Sequence, residues 1–129
     1  MPQYDSDHYY PPAPIARVTL KNPATGQTIS DVPMLLDTGA DVTLIPRSLV
    51  ERLGIPIELD AAQEYELAGF DGTQSTSVSV KAHMLFQSLT FKGSFLLCKE
   101  ATGVIGRNVL NRLSITFNGR ELSWDLDRS

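Results

Sequence analysis

The sequence predicts a mainly β domain carrying one or two short helices, and three observations support that. Short apolar runs rich in Val, Ile, Leu and Thr are interrupted every few residues by Gly, Pro, Asn or Asp, the pattern of strands joined by turns. Only two stretches show helical spacing, which excludes a parallel architecture with a helix after each strand. The 129 residues suit one domain. A chain of this size buries about two-thirds of its unfolded surface and needs neither disulfide nor metal to hold a core.

In chain order, residues 1–14 read as an extended arm, because Tyr9-Tyr10-Pro11-Pro12-Ala13-Pro14 lacks the amide donors a helix or central strand requires. Residues 15–129 form the folded domain. Ile15–Leu20 and Thr28–Leu36 read as strands around the turn Asn22-Pro23-Ala24-Thr25-Gly26, with Ala16, Val18 and Leu20 on one face. Pro46 to Gly54 has proline at a helix start, Leu49, Val50 and Leu53 on one side and glycine at the end, which predicts a short helix. Glu64–Ala68 and Gln74–Val80 flank Gly69-Phe70-Asp71-Gly72-Thr73, whose Asp-Gly pair suits a turn with positive φ. Strands Lys81–Leu85 and Leu89–Leu97 follow. Asn108–Leu113 has a second helical spacing, and Ile115–Phe117 joins Glu121–Trp124 through Asn118-Gly119, the clearest turn signal in the chain.

Eleven basic residues against fifteen acidic give a net charge of 11 − 15 = −4, and the four Lys and seven Arg are dispersed singly. That pattern argues against a phosphate-binding surface, so nucleic acid is not the expected partner. No apolar run approaches the length of a membrane span, and the first fourteen residues lack the apolar core of a secretory signal. A soluble, cytoplasmic or otherwise intracellular protein is expected. Met1 and the lack of low-complexity flanks favour a free-standing protein over a unit cut from a longer precursor. One cysteine, Cys98, cannot form an internal disulfide and is expected to be buried and inert. His8 and His83 lie far apart, with no ligand spacing around either, so no metal and no cofactor are expected.

One segment stands out chemically. In Pro33-Met34-Leu35-Leu36-Asp37-Thr38-Gly39-Ala40-Asp41-Val42-Thr43, an apolar strand delivers an aspartate into a tight turn where Thr38 can hydrogen-bond and Gly39 admits a close approach. About sixty to seventy residues later comes Gly103-Val104-Ile105-Gly106-Arg107-Asn108-Val109-Leu110, leading into helical spacing. These two motifs, in this order and with a glycine-tipped hairpin between them, resemble the retropepsins, the retroviral-type aspartic proteases. The resemblance spans residues 15 to 124.

That resemblance implies an acid-protease fold: a closed or partly open antiparallel β barrel with a flap hairpin. It makes Asp37 the catalytic aspartate, places Thr38 in the network between two active-site loops and sets Gly39 beside the substrate backbone. Ala40 matches the alanine of retroviral-type rather than pepsin-like enzymes and would lie along the substrate. Asp41 would pair with Arg107 and help to hold a peptide, while Thr43 and Asn108 would support the loop. Gly69, Phe70, Asp71 and Gly72 would form the flap tip over substrate; read without the resemblance, they are equally a plain exposed turn. Arg107 without it is a surface arginine, and Trp124 is either core or part of a dimer interface. The Pro46–Leu53 helix resembles cellular and bacterial relatives more than minimal viral enzymes.

The chain holds one Asp-Thr-Gly triplet. Amide hydrolysis by carboxylates needs one group to take a proton and another to give one, so the second aspartate is expected from an identical subunit. The expected function is therefore a homodimeric aspartic endopeptidase acting on peptide or protein substrates. A non-catalytic peptide-binding or dimerisation module on the same fold is the alternative.

Overall fold

The apolar alternation of the sequence becomes the inside of a barrel in a computed structural model that describes residues 2–57, 66–68, 74–76 and 79–127. The strands β1 (Ile15–Lys21), β2 (Thr28–Leu36), β3 (Leu44–Pro46), β6 (Ser79–Phe86), β7 (Leu89–Cys98) and β8 (Gly103–Ile105) close in the order β1-β2-β8-β3-β7-β6. Helix α1 (Arg47–Arg52) follows β3, and α2 (Arg107–Leu110) follows β8. The short strands β4 (Glu66–Ala68) and β5 (Gln74–Thr76) pair with each other, as do β9 (Ile115–Asn118) and β10 (Ser123–Leu126).

Four seams of the barrel are antiparallel and two, β2–β8 and β3–β7, are parallel. The parallel seams position the site. In β2–β8, Leu36 pairs with Ile105, so both strands end side by side and the loops that leave them start as neighbours. Neither β3 nor β8 is expected from the sequence, because three residues are too few to display an alternation.

The first hairpin forms as expected, with a bulge where β2 carries an extra residue near Asp31, whose φ is 60°. Its turn is tied to the rest of the domain by buried Asn22, whose Nδ2 donates to the Leu53 carbonyl at 2.9 Å. Gly54, at φ 68°, ends the helical segment in the left-handed conformation that glycine adopts without strain. The expected second hairpin pairs Glu66 with Thr76 and Ala68 with Gln74, and its tip, residues 69–73, lies outside the described residues. Val80 belongs to β6 rather than to that hairpin, because Val80, Ala82, Met84 and Phe86 share the buried face of one strand.

The last hairpin departs from expectation. Asn118 pairs with Ser123, so the connection is the four residues 119–122 and not a two-residue Asn-Gly turn. Asn118 Oδ1 accepts the Glu121 N–H at 3.2 Å, and Leu122 takes the positive φ of 53°. This register accompanies the seating of Trp124, which is 2% exposed and stacks on Phe86 with ring centroids 5.9 Å apart. Trp124 thus packs in the core of its own chain.

Residues 2–14 fold back on the domain. Gln3 bridges Ser123, the Tyr4 N–H donates to the Leu122 carbonyl at 2.7 Å, and the Trp124 N–H donates to the Pro2 carbonyl at 3.0 Å. Asp5 and Ala13 exchange backbone hydrogen bonds, and the Asp5 carboxylate accepts from the Asp7 and His8 N–H groups and faces the His8 ring. The His8 backbone N–H is the main reason the Asp5 carboxyl is held below its ordinary range. The folded value is lowered, so this cap is intact above it and is lost as pH falls through it. No helix among the described residues is long and apolar enough to cross a membrane.

Cys98, at the end of β7, is half-buried rather than fully buried, and its Sγ lies 3.8 and 3.7 Å from the Glu100 and Thr102 carbonyls. Burial, reinforced by Glu100, pushes its thiol up. Alkylation by iodoacetamide at about pH 8 should be slower than for free cysteine and should accelerate only at higher pH; a faster rate would contradict the burial. Trp124→Ala should cost about 3–5 kcal/mol of stability, read as a lower urea midpoint, because the cavity falls between Phe86 and the core.

Candidate active site

The end of β2 is stitched in place on both sides. The Leu36 N–H donates to the Pro14 carbonyl at 3.0 Å and the Asp37 N–H to the Ile105 carbonyl at 3.1 Å. The chain then turns tightly. Asp37 Oδ1 accepts the Gly39 N–H at 2.9 Å, and the Asp37 carbonyl accepts the Ala40 N–H at 3.2 Å. A side chain at position 39 would place its Cβ 3.1 Å from that same carboxylate oxygen, so glycine leaves the carboxylate unobstructed. Asp37 is partly exposed, and Thr38 and Gly39 are exposed.

The second motif closes on this loop from across the parallel seam. The Arg107 N–H donates to the Ala40 carbonyl at 2.8 Å, its Nη1 donates to the Thr38 carbonyl at 2.7 Å, and its Nη2 pairs with Asp41 Oδ1. One guanidinium therefore holds a backbone carbonyl and a carboxylate at once, a use of the planar fork that lysine could not reproduce. The ion pair is open to water, with the Asp41 side chain 77% exposed, so it contributes at most about 1 kcal/mol and serves to fix geometry.

Beneath it lies a buried link. Thr43 is 1% exposed; its hydroxyl donates to Asn108 Oδ1 at 2.8 Å and accepts the Gly106 N–H at 3.2 Å. Gly106 is required here by contact. A Cβ there would lie 2.6 Å from the Val42 carbonyl carbon and 2.9 Å from the Ala40 oxygen, closer than backbone atoms tolerate. The structure thus brings together Asp37, Thr38, Gly39, Ala40, Asp41, Thr43, Arg107 and Asn108. Gly69, Phe70, Asp71 and Gly72 lie outside the described residues.

The family model for aspartyl proteases matches residues 18–109. The chain belongs to the aspartyl protease family. Among solved structures, EIAV protease complexed with the inhibitor HBY-793 aligns with a TM-score of 0.58 at 18% identity, covering 84% of this chain and 91% of that one. The retroviral protease-like domain of Ddi1 from Leishmania major aligns with a TM-score of 0.57 at 12% identity, over 91% of this chain and 90% of that one. At such identities the likeness shows the fold, which is retropepsin-like. No curated protein sequence matches the chain.

For this aspartyl protease family member, the sequence pointed to the side chains of the site but not to their backbone partners. The Thr38 and Ala40 carbonyls, which receive Arg107, carry no sequence signal. A further feature was missed. A groove of about 170 Å³ beside the aspartate loop is lined by Thr38, Leu110, Leu113, Ile115 and Phe117, and Phe117 is 42% exposed. Its available signal was the apolar alternation of Ile115 and Phe117, read only as strand. Among the described residues no group of three or more His, Cys, Asp or Glu side chains is arranged to hold a metal ion.

Thr43→Val should remove a buried hydroxyl and leave the Gly106 N–H without an acceptor, at a cost of about 1–3 kcal/mol in chemical denaturation. Arg107→Lys should lower stability by no more than about 1 kcal/mol. A reversed ranking would mean that the exposed fork, rather than the buried link, holds the two loops together.

Proposed function

We propose that the protein is a homodimeric aspartic endopeptidase whose two Asp37 carboxylates, one from each copy, activate water for peptide-bond hydrolysis. The observation that carries this reading is the aspartate loop itself: one carboxylate, partly exposed at the end of the barrel and held by the Gly39 N–H, on a loop whose backbone is fixed by Ile105 and by Arg107 at the Thr38 carbonyl. A lone carboxylate cannot act as base and acid in the same step. A two-fold axis beside Asp37 supplies the missing group without any new residue.

The apolar groove flanking Thr38 supports the same axis. A second copy seated there would cover Phe117, Ile115 and Leu113, the kind of apolar surface that drives association. In the assembled pair, two carboxylates this close hold one proton between them, as the aspartic-protease dyad is known to do. The ionised member takes a proton from water as the oxygen attacks the carbonyl carbon. The protonated member gives its proton to the carbonyl oxygen. Collapse of the tetrahedral intermediate then breaks the C–N bond, and the proton taken from water passes to the leaving amine. One hydroxyl of the gem-diol re-forms the carbonyl and returns its proton to the other carboxylate, restoring the one-proton pair. Gly39 and Ala40 would lie along the substrate backbone, with Asp41 at its flank and the 69–72 segment as flap.

Asp37→Asn should abolish cleavage of an unfolded protein substrate such as oxidised insulin B chain. At constant total protein, an equal mixture of wild type and Asp37→Asn should show about a quarter of the activity of wild type alone, because one random pair in four holds two intact carboxylates. Activity halved by mixing would indicate that each copy works alone, and peptide binding without cleavage would favour the non-catalytic module.

A further inference from the structure

Three of the four lysines, at positions 21, 81 and 92, meet on one outer face of the barrel. Lys21 of β1 pairs across the strands with His83 of β6, which pairs in turn with Lys92 of β7, so these side chains form one row over three strands. Lys81 lies two residues before His83 on the same face, opposite Ser94. The intervening Leu20, Ala82 and Met84 are buried, which fixes the row as outward-facing. Lys81 and Lys92 are exposed; Lys21 and His83 are partly so.

No Asp or Glu occurs in β1, β6 or β7. Among the described residues, none of the three lysines is in an ion pair. A groove of about 250 Å³ runs beside Lys81 and His83, bounded by Pro23 of the first hairpin turn and by Ser94. Spread singly through an acidic chain, these cations carry no sequence signal; the barrel gathers them.

We infer that this face docks an acidic polypeptide segment in extended conformation. Alternate side chains of an extended segment recur about every 7 Å, which matches the spacing of Lys81 and His83 along β6, with Lys21 and Lys92 about 5 Å to either side. β6 is an interior strand of the closed barrel, so recognition is by side-chain charge and not by added strand pairing. The outward row of Lys21, Lys81, His83, Lys92 and Ser94 presents no Phe, Tyr or Trp on which a base could stack, and its one ring, that of His83, is only partly exposed, which favours a carboxylate-bearing peptide over a single-stranded nucleic acid. This reading stands apart from the aspartate loop.

The test is fluorescence anisotropy of the full chain with a fluorescein-labelled peptide of alternating Glu and Ser, about ten residues long, at about 50 and 200 mM salt. Saturable binding is expected, weaker at the higher salt and at least about tenfold weaker for the combined Lys21→Gln, Lys81→Gln and Lys92→Gln variant. The combined Lys→Arg variant at the same positions should retain binding, and so should Asp37→Asn. Equal affinity of wild type and the Gln variant, or loss of binding in the Arg variant with its fold intact by circular dichroism, would overturn the proposal. Tighter binding of a single-stranded oligonucleotide or of phosphatidylserine vesicles than of the peptide would also overturn it.

Discussion

The site rests on a close backbone approach between residues 40–43 and the turn at Gly106. Two segments more than sixty residues apart come together so closely that no side chain fits at position 106. Everything around the aspartate follows from that contact. With the chains this near, the Arg107 N–H reaches the Ala40 carbonyl and the Thr43 hydroxyl reaches both Gly106 and Asn108. The exposed Arg107–Asp41 pair can then be energetically weak and still effective, because it only selects among loop geometries that the buried contact has already narrowed.

The barrel makes that approach possible through its parallel seams. An antiparallel neighbour would have sent the chain leaving β8 back along β2, away from Asp37. Because β2 and β8 run the same way, in the register Leu36 to Ile105, both loops emerge at one end. β3 then returns from the aspartate loop to sit between β8 and β7, so the loop is closed by strands at both of its ends. A functional loop held by rigid elements at each end keeps its geometry without a large core of its own.

How much of this could be read from the sequence depends on the length scale of the signal. β1, β2 and β6 have enough alternation to be recognised, and their buried faces, Ala16-Val18-Leu20 among them, come out as expected. β3 and β8 are too short for any periodic signal, yet they are the strands that create the site. The Asn118-Gly119 pair carried a strong local preference for a tight turn. Tertiary packing of Trp124 on Phe86 accompanied a longer loop instead. Within the site, residue types were legible because Asp, Gly and Arg are costly to place without reason. Their partners were not, since backbone carbonyls are identical at every position. The lysine row was least legible of all, because cross-strand neighbours at 21, 83 and 92 are defined only by register.

Charge distinguishes the two surfaces for which partners are inferred. Each copy carries a net charge of −4, so two copies approaching through the groove beside Thr38 repel one another at long range, and only short-range apolar burial can hold them. Added salt screens that repulsion and should tighten the pair, as sedimentation equilibrium would show. On the lysine row the sign is opposite: attraction between Lys21, Lys81 and Lys92 and an acidic segment is itself what salt screens. One ionic-strength series on one preparation therefore drives the two equilibria in opposite directions. If both weakened together, association of the copies would be electrostatic rather than apolar, and the groove lined by Leu113, Ile115 and Phe117 would lose its assigned part in bringing the two Asp37 loops face to face.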